Sequence, residues 1–364
     1  MQDLEPAIRA FNQRLRTGGE QYWALPESYV PRFSGCIDKT PYKQFFLALE
    51  HKQVRGGYLL TRYRAAIRNE IVSLACGPQL NLSEGLVNPE YKVVNVMQVR
   101  DLLQRYPLSY SLGPGNARNV GEGMPKLLSA MGWTFLPMLL RARIISASNF
   151  LAQVRYLRHY TAIAFGLEFL RRSGIGKVAI SMAQAHTGLS LSSTSADPVS
   201  EFGDWADTIW NQCRNRYSLI AARDSDTLNS LYPSQDHRFI RLRISCSDRV
   251  LGWAVLLAPK LSRHRYFGDM HVGSIVDCLA APENAYPVVA CATTFLQALG
   301  VDLVVSVQRS DAWNKAFSIA GFLGGISSFR LALSPELTKK LAPLEYTNAG
   351  IHMTRGDGEG PTIL

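Results

Sequence analysis

The sequence predicts an α/β protein of two tandem domains, and three observations carry that prediction. The chain has 364 residues, 47% of them hydrophobic, which is enough for two cores of ordinary size. One order of hairpin, strand, helix, strand, helix and strand is written twice along it. Between the copies lies the Ser-rich stretch "GLSLSSTSADPVS", residues 188–200, which reads as a linker. The expected division is a first domain over residues 1–172 with a trailing helix, a linker over 173–200, a second domain over 201–350 and a tail over 351–364.

Each copy opens with helical sequence, "LEPAIRAFNQRLR" in the first and "FGDWADTIWNQCRNRY" with "DSDTLNSLYP" in the second. A strand, polar turn and strand follow. In "FFLALEHKQVRGGYLLTRY" Gly57 precedes Tyr58, and in "RFIRLRISCSDRVLGWAVLLAP" Gly252 precedes Trp253. An apolar strand comes next, "EIVSLACGP" or "GSIVDCLAAP", and then a proline-led helix start, "NPEYKVVNV" or "APENAYPVV". The step from hairpin glycine to that proline is 32 residues in the first copy (Gly57 to Pro89) and 30 in the second (Gly252 to Pro282). Order and spacing agree.

The second copy's helix places Val288, Val289, Ala292, Phe295, Leu296 and Leu299 at the spacing of one buried face and stops at Gly300. In the first copy Val94, Met97, Leu102 and Leu103 take that part. Each helix then delivers a strand, "PLSYSLGPG" or "VDLVVSVQR", and a shorter helix ending at Gly132-Trp133 or Gly321-Phe322. A last strand, "TFLPMLLRARI" or "ISSFRLAL", closes each unit. The segment from Ser146 to Gly174 reads as a helix between the copies, and the tail "HMTRGDGEGP" as a frayed terminus.

Bulk properties narrow the function classes. The net charge of +10 favours an acidic ligand or partner, yet only 19% of residues are charged and the chain has no run of five basic residues, so a DNA-binding tail is not expected. The longest uncharged apolar stretches, residues 127–140 and 250–259, are too short to span a bilayer, which needs about 20 residues. The first residues lack a signal-peptide pattern, so a cytoplasmic location is expected. Six cysteines are scattered without a CxxC pair or a nearby histidine, which predicts reduced thiols and no metal site. "SGIGKV" at 173–178 lacks the first glycine and the Ser/Thr of a P-loop, and neither HExxH nor GxSxG occurs.

Helices, a hairpin, a strand, a helix starting after Pro-x-Tyr-Lys, a further strand and a helix ending in Gly-Phe form a layout that resembles the GNAT acyltransferase superfamily. Both copies resemble it along nearly their whole length. The chain therefore looks like a tandem GNAT protein, similar to FemAB-type proteins of the kind linked to envelope polysaccharide biosynthesis. The resemblance implies two GNAT-like domains, each a mixed, mostly antiparallel sheet flanked by helices. It also implies an acyl-CoA donor lying between two splayed parallel strands, with its pyrophosphate on the first amides of the following helix.

The family's Arg/Gln-x-x-Gly-x-Gly/Ala loop falls on Lys92-Val93-Val94-Asn95-Val96-Met97 in the first copy, where both small positions are filled and Met97 is expected to crowd the phosphate path. In the second copy the place is held by Glu283-Asn284-Ala285-Tyr286, and the donor is expected on Cys278, Leu279, Asn284, Ala285 and Tyr286. The family's thiolate-protonating tyrosine, four residues before the Gly-Phe, is replaced by Phe317 and by Leu128, neither of which can donate a proton.

Asp277 is the candidate base for the amine, with an acid paired to an arginine as its other reading. Asn314 stands at a polar position beside the pantetheine arm. His271 is a second titratable group on the same strand, and Gln308, Arg309 and Ser310 follow the next one. The expected function is N-acyl transfer from acyl-CoA, or from an acyl carrier protein, to an amino group of a small metabolite or sugar nucleotide, with the chemistry in the second domain. The alternatives are a non-catalytic tandem GNAT that binds a ligand or partner, and transfer from aminoacyl-tRNA.

Overall fold

The computed structural model describes residues 4–28, 41–113, 123–153, 193–264 and 267–358. Along the chain run α1 (Glu5–Thr17), β1 (Tyr42–Glu50), β2 (Gln53–Ile67), β3 (Glu70–Ser83), α2 (Lys92–Arg105), β4 (Ser109–Leu112), α3 (Gly123–Ala130), β5 (Thr134–Ile144), α4 (Ala147–Gln153) and β6 (Thr194–Pro198). There follow α5 (Asp204–Cys213), β7 (Leu219–Ala221), α6 (Ser225–Leu231), β8 (Ile240–Cys246), β9 (Arg249–Leu257), β10 (Val272–Ala280), α7 (Ala285–Ala298), β11 (Leu303–Arg309), α8 (Asp311–Ile319) and β12 (Leu323–Leu333). The chain closes with α9 (Pro335–Leu341), α10 (Leu344–Thr347) and β13 (Ile351–Thr354). Most of the expected linker and inter-copy helix, residues 114–122 and residues 359–364 lie outside the described residues.

Contacts divide the chain into two units, and the division is not a simple split into halves. Unit 1 comprises Met1–Pro137, Ser328–Thr347 and Asp357–Glu359, and unit 2 comprises Met138–Ser327, Asn348–Gly356 and Gly360–Leu364. Each unit has a mixed, mostly antiparallel sheet. In unit 1, β1, β2 and β3 form an antiparallel meander, β4 joins β3 in parallel, and Leu331–Leu333 of β12 pair antiparallel with β4. In unit 2, β6, β8, β9 and β10 are antiparallel, β11 joins β10 in parallel, and residues 139–144 of β5 pair antiparallel with β11. Each unit thus takes its last strand from the other copy.

Local chemistry explains the meander. The β1–β2 turn holds His51 at φ 47° and Lys52 at φ 65°, the two left-handed residues that a two-residue hairpin needs to match strand twist. The β8–β9 turn uses Ser247 at φ 51° in the same way. The glycines after these hairpins permit close packing. A Cβ on Gly252 would lie 2.4 Å from the Leu279 carbonyl oxygen, and one on Gly56 would lie 2.6 Å from that of Leu82.

In unit 1, α1 buries Ile8, Phe11 and Leu15 with Val54 and Leu82 on one face of the sheet. On the other face Val99 and Leu102 of α2 and Leu128 of α3 pack with Tyr58, Leu60, Ala75 and Trp133. In unit 2, α7 buries Val288, Val289, Ala292 and Leu296 as its spacing predicts, although Leu299, at the helix end, is 43% exposed.

Two expectations are corrected. The end of the Ser-rich stretch is strand β6, which pairs with β8 from Thr194↔Cys246 to Pro198↔Leu242, an edge strand that ends on its proline. Within the described part of the tail Ile351, His352, Met353 and Thr354 are all buried, because β13 pairs with β7 on one side and β11 on the other. Apolar and polar residues alternate along β13, and both faces are covered.

Candidate functional site

Each unit contains a place where two parallel strands part. In unit 2, β10 and β11 pair over three positions, from Val272↔Leu303 to Ser274↔Val305, and just beyond them the ladder of β10 with β9 shifts register between Ile275 and Asp277. Here the resemblance expects the donor's arm. The space is filled by the protein itself. β13 pairs with the far end of β11 through Gln308↔Thr354 and Arg309↔Met353. The His352 ring is stacked between Tyr217, 4.9 Å away, and Trp313, 5.6 Å away. His352 Nε2 lies 3.0 Å from the Cys278 carbonyl, and the Tyr217 hydroxyl donates to the Ala280 carbonyl at 3.0 Å. Trp313 Nε1 donates in turn to the Tyr217 oxygen at 2.9 Å.

Asp277 sits at the centre of this filling, fully enclosed. Its Oδ1 accepts from Arg223 Nε and Nη2 at 3.1 Å each, from Thr354 Oγ1 at 3.1 Å and from the Cys278 amide at 2.9 Å. Its Oδ2 accepts from the Tyr232 hydroxyl at 2.9 Å. The side chains of Arg223 and Asp277 are 0% and 1% exposed, so this is a buried ion pair with five donors on one carboxylate. In this geometry Asp277 is paired with an arginine, and its side chain is buried. Burial, and then the neighbouring Arg223 charge, hold His352 well below the usual histidine range, so the ring is neutral with Nε2–H toward the Cys278 carbonyl.

The remaining predicted groups have structural partners. Cys278 and Leu279 are buried in the strand, and Ala285 is buried at the start of α7. Pro282–Asn284 form a 3-10 turn in which Asn284 caps α7 without a side-chain bond, and Tyr286 is half-buried in the first helical turn. Glu283 points outward to Arg216, 3.3 Å away. Asn314 accepts from Arg141 Nε at 3.4 Å. The His271 ring nitrogens lie beside the Gly300 and Ala258 carbonyls. Leu128 and Phe317 are core residues at 0% exposure, and Phe317 meets Phe322 edge to face.

In unit 1, β3 and β4 pair only at Ala75↔Ser109 and Cys76↔Tyr110 before β3 runs on alone to Ser83. Below the parting, Thr61 Oγ1 donates to Gln79 Oε1 at 3.2 Å and Gln79 Nε2 donates to Cys76 Sγ at 3.3 Å. Tyr63 and Tyr110 donate to the carbonyls of Gly358 and Asp357 at 2.9 and 2.5 Å. Burial first, and then Cys76, raise the Tyr110 phenol well above its usual range. Beyond the parting, Leu82 turns into the α1 core, so Asn81 and Ser83 turn to the face that carries α2 and α3. Asn81 Nδ2 reaches Met124 Sδ at 4.0 Å.

Ser83 Oγ and the amide oxygens of Asn81 and Asn95 are buried and have no hydrogen-bond partner among the described residues. Buried polar atoms are seldom left so, and each costs roughly 1–3 kcal/mol when nothing donates to it. The segment from β3 into α2 is a 3-10 turn, Pro89–Tyr91, followed directly by the 14-residue α2. Unit 2 has the same sequence of turn and 14-residue helix.

Met97 stands on the exposed side of α2. It is 59% exposed and lines a cavity of about 680 Å³ between α2 and the β1 edge, with Phe46, Leu49, Tyr91 and Val93. Residues two apart on a helix lie about 200° apart around it, so Asn95 and Met97 cannot share a side. The cavity's arginines are already paired, Arg105 with Asp101, and Arg55 with Glu50 and with Glu84, which also binds Arg14.

Sequence reading did not single out Ser83, Asn81, Arg223, Tyr232, His352 or Thr354. The alternation of Ile351-His352-Met353-Thr354 is the one signal that could have marked β13.

No family model and no curated protein matches the sequence. Solved structures with similar folds include N-myristoyltransferase of Saccharomyces cerevisiae with bound myristoyl-CoA (8% identity, TM-score 0.45, 78% of this chain and 65% of that one). A conserved Enterococcus faecalis V583 protein of unknown function is also similar (11%, 0.47, 82% and 63%). So is a GCN5-related N-acetyltransferase of Anabaena variabilis (12%, 0.48, 79% and 62%). The chain spans less than two thirds of the length of each of these three.

Proposed function

We propose that the chain is a GNAT-type N-acyltransferase that draws its acyl group from an acyl-CoA thioester and passes it to an amino group of a small acceptor, such as a sugar nucleotide. The donor's arm lies in unit 1. One observation carries this reading: beside the parted β3 and β4, Asn81, Asn95 and Ser83 keep buried oxygens without donors, whereas the parting in unit 2 is filled by β13. The two amide N–H groups of a pantetheine arm are the donors those oxygens lack. Phosphate, which carries acceptors only, suits instead the first amides of α2, whose N-cap Tyr91 makes no side-chain cap.

A specific observation favours a second reading, in which the protein binds acyl-CoA without turnover. Leu128 and Phe317 occupy the proton-donor positions and are sealed in cores. A thermal-shift panel with acetyl-CoA, a long-chain acyl-CoA and a charged acyl carrier protein separates these readings when combined with an assay of thiol release. A ligand at 100 times its Kd adds about 2.7 kcal/mol of stability. The shift should persist in Asp277→Asn, measured against that variant's own baseline, and vanish in Asn81→Leu with Asn95→Leu. No shift with any donor refutes both readings, and a shift without thiol release selects the second.

A further inference from the structure

Arg141 and Arg143 stand one residue apart on β5, so both side chains leave the same face of the strand, the face that carries α8. Arg141 Nε and Nη1 contact Asn314 Oδ1 at 3.4 Å and Ser318 Oγ at 3.3 Å, and Arg143 Nη1 donates to the Ala320 carbonyl at 2.6 Å. Every one of these partners is neutral. Among the described residues neither arginine has a carboxylate within ion-pair distance. Both guanidiniums are half-buried, and burial lowers the pKa of each.

A guanidinium stays charged even when partly desolvated, and it is shaped to hold an oxyanion with two parallel N–H bonds. Two such charges side by side repel each other, and half-burial without a counter-charge costs free energy that neutral partners offset only in part. The two side chains hold about ten N–H donors, of which three are engaged in those contacts. Gly324 of β12 lets the Arg141 guanidinium lie against bare backbone, since a Cβ there would fall 2.4 Å from Nη1.

We infer that Arg141 and Arg143 form an anion site in unit 2 that takes a phosphate group of a bound ligand. The inference does not depend on the acyl-donor reading, because it concerns binding in unit 2 and needs no turnover.

Inorganic pyrophosphate titrated into the full chain at constant ionic strength, against chloride, should show saturable binding by calorimetry. Arg141→Gln with Arg143→Gln should weaken it about tenfold or more, the expected scale for losing charged hydrogen bonds. Arg141→Lys with Arg143→Lys should restore part of it, and Arg9→Gln, at a surface arginine paired with Glu27 in unit 1, should leave it unchanged. Should the double glutamine variant fail to fold, arginine Nε–Hε resonances of the wild-type chain give the second measurement, with two signals shifting in step with pyrophosphate. Adenosine 3′,5′-bisphosphate and a hexosamine 6-phosphate distinguish a coenzyme phosphate from an acceptor phosphate. The inference is overturned by pyrophosphate binding no better than chloride, by equal affinity in the glutamine variant, or by arginine signals that do not move.

Discussion

Asp277→Asn keeps the shape of the side chain and removes only its charge, which makes it the sharpest probe of the buried pair in unit 2. At 3.1 Å the attraction between Arg223 and Asp277 is roughly 5 kcal/mol at an effective dielectric constant of 20. The loss on substitution should lie near 3–5 kcal/mol, the range for leaving one member of a buried pair uncompensated. Since Asn retains an oxygen for the Arg223 and Thr354 donors, the lost charge dominates over lost bonds. For a unit of this size the midpoint of its thermal transition should fall by roughly 6–20 °C. Urea unfolding followed by tryptophan fluorescence reads the change, because Trp253 and Trp313 are buried in the same unit. Arg223→Met combined with Asp277→Leu should recover most of the loss, since an apolar pair carries no stranded charge. A single variant within about 1 kcal/mol of wild type would refute the reasoning, as would a double variant as unstable as the two singles summed.

Three further outcomes follow from named contacts. Gly356→Ala should destabilise unit 2 by about 1–3 kcal/mol, because its Cβ would lie 2.2 Å from a Tyr232 hydroxyl that Asp277 already holds; an unchanged denaturation midpoint argues against that anchoring. Ser83→Ala should leave stability within about 0.5 kcal/mol of wild type or raise it, since the lost hydroxyl has no described partner, while acyl-CoA affinity falls. A stability loss with affinity intact would show the hydroxyl to be structural. The third concerns pH. His352 is depressed in the fold by burial and then by Arg223, so its contribution is present above about pH 6.5, its unfolded value, and is lost as pH falls below that. Glu84 loses some of its acidity to burial, but its bonds to Arg14 and Arg55 outweigh this and lower its pKa, so a second loss begins below about pH 4.3. Urea titrations from pH 7.5 to 4 should show stability declining with acid, and His352→Gln should flatten the first step. A wild-type curve that is level between pH 7 and 5 is incompatible with a buried neutral His352.

The meander, the proline-led helices and their buried stripes were legible because each is a local pattern. Val288, Val289, Ala292 and Leu296 announce a face by spacing alone, and the 3-10 turn before each long helix follows from its proline. What escaped was set by partners far apart in the chain. Asp277 could be seen as an acid on a buried strand, but its fate depends on Arg223, 54 residues earlier, and Thr354, 77 residues later. The start of the tail looked frayed because the glycines and charges that follow suggest solvent, and only its pairings with β7 and β11, far off in the chain, give the strand a place. Met97 was judged from its position in a linear motif. The helix turned it to the opposite side, and the candidate donor site moved from the second copy to the first with it.

β13 also governs the order in which the protein can be made. Unit 2 cannot close its sheet until residues 351–354 have left the ribosome, and unit 1 waits for Leu331–Leu333 to pair with β4. Synthesis runs at about 5–20 residues per second, so the first copy spends many seconds with the edge of β4 bare. Each sheet therefore stays open to strand exchange or chaperone capture until its late strand has been made. Separating the two copies by cutting the chain between them would leave each without its last strand.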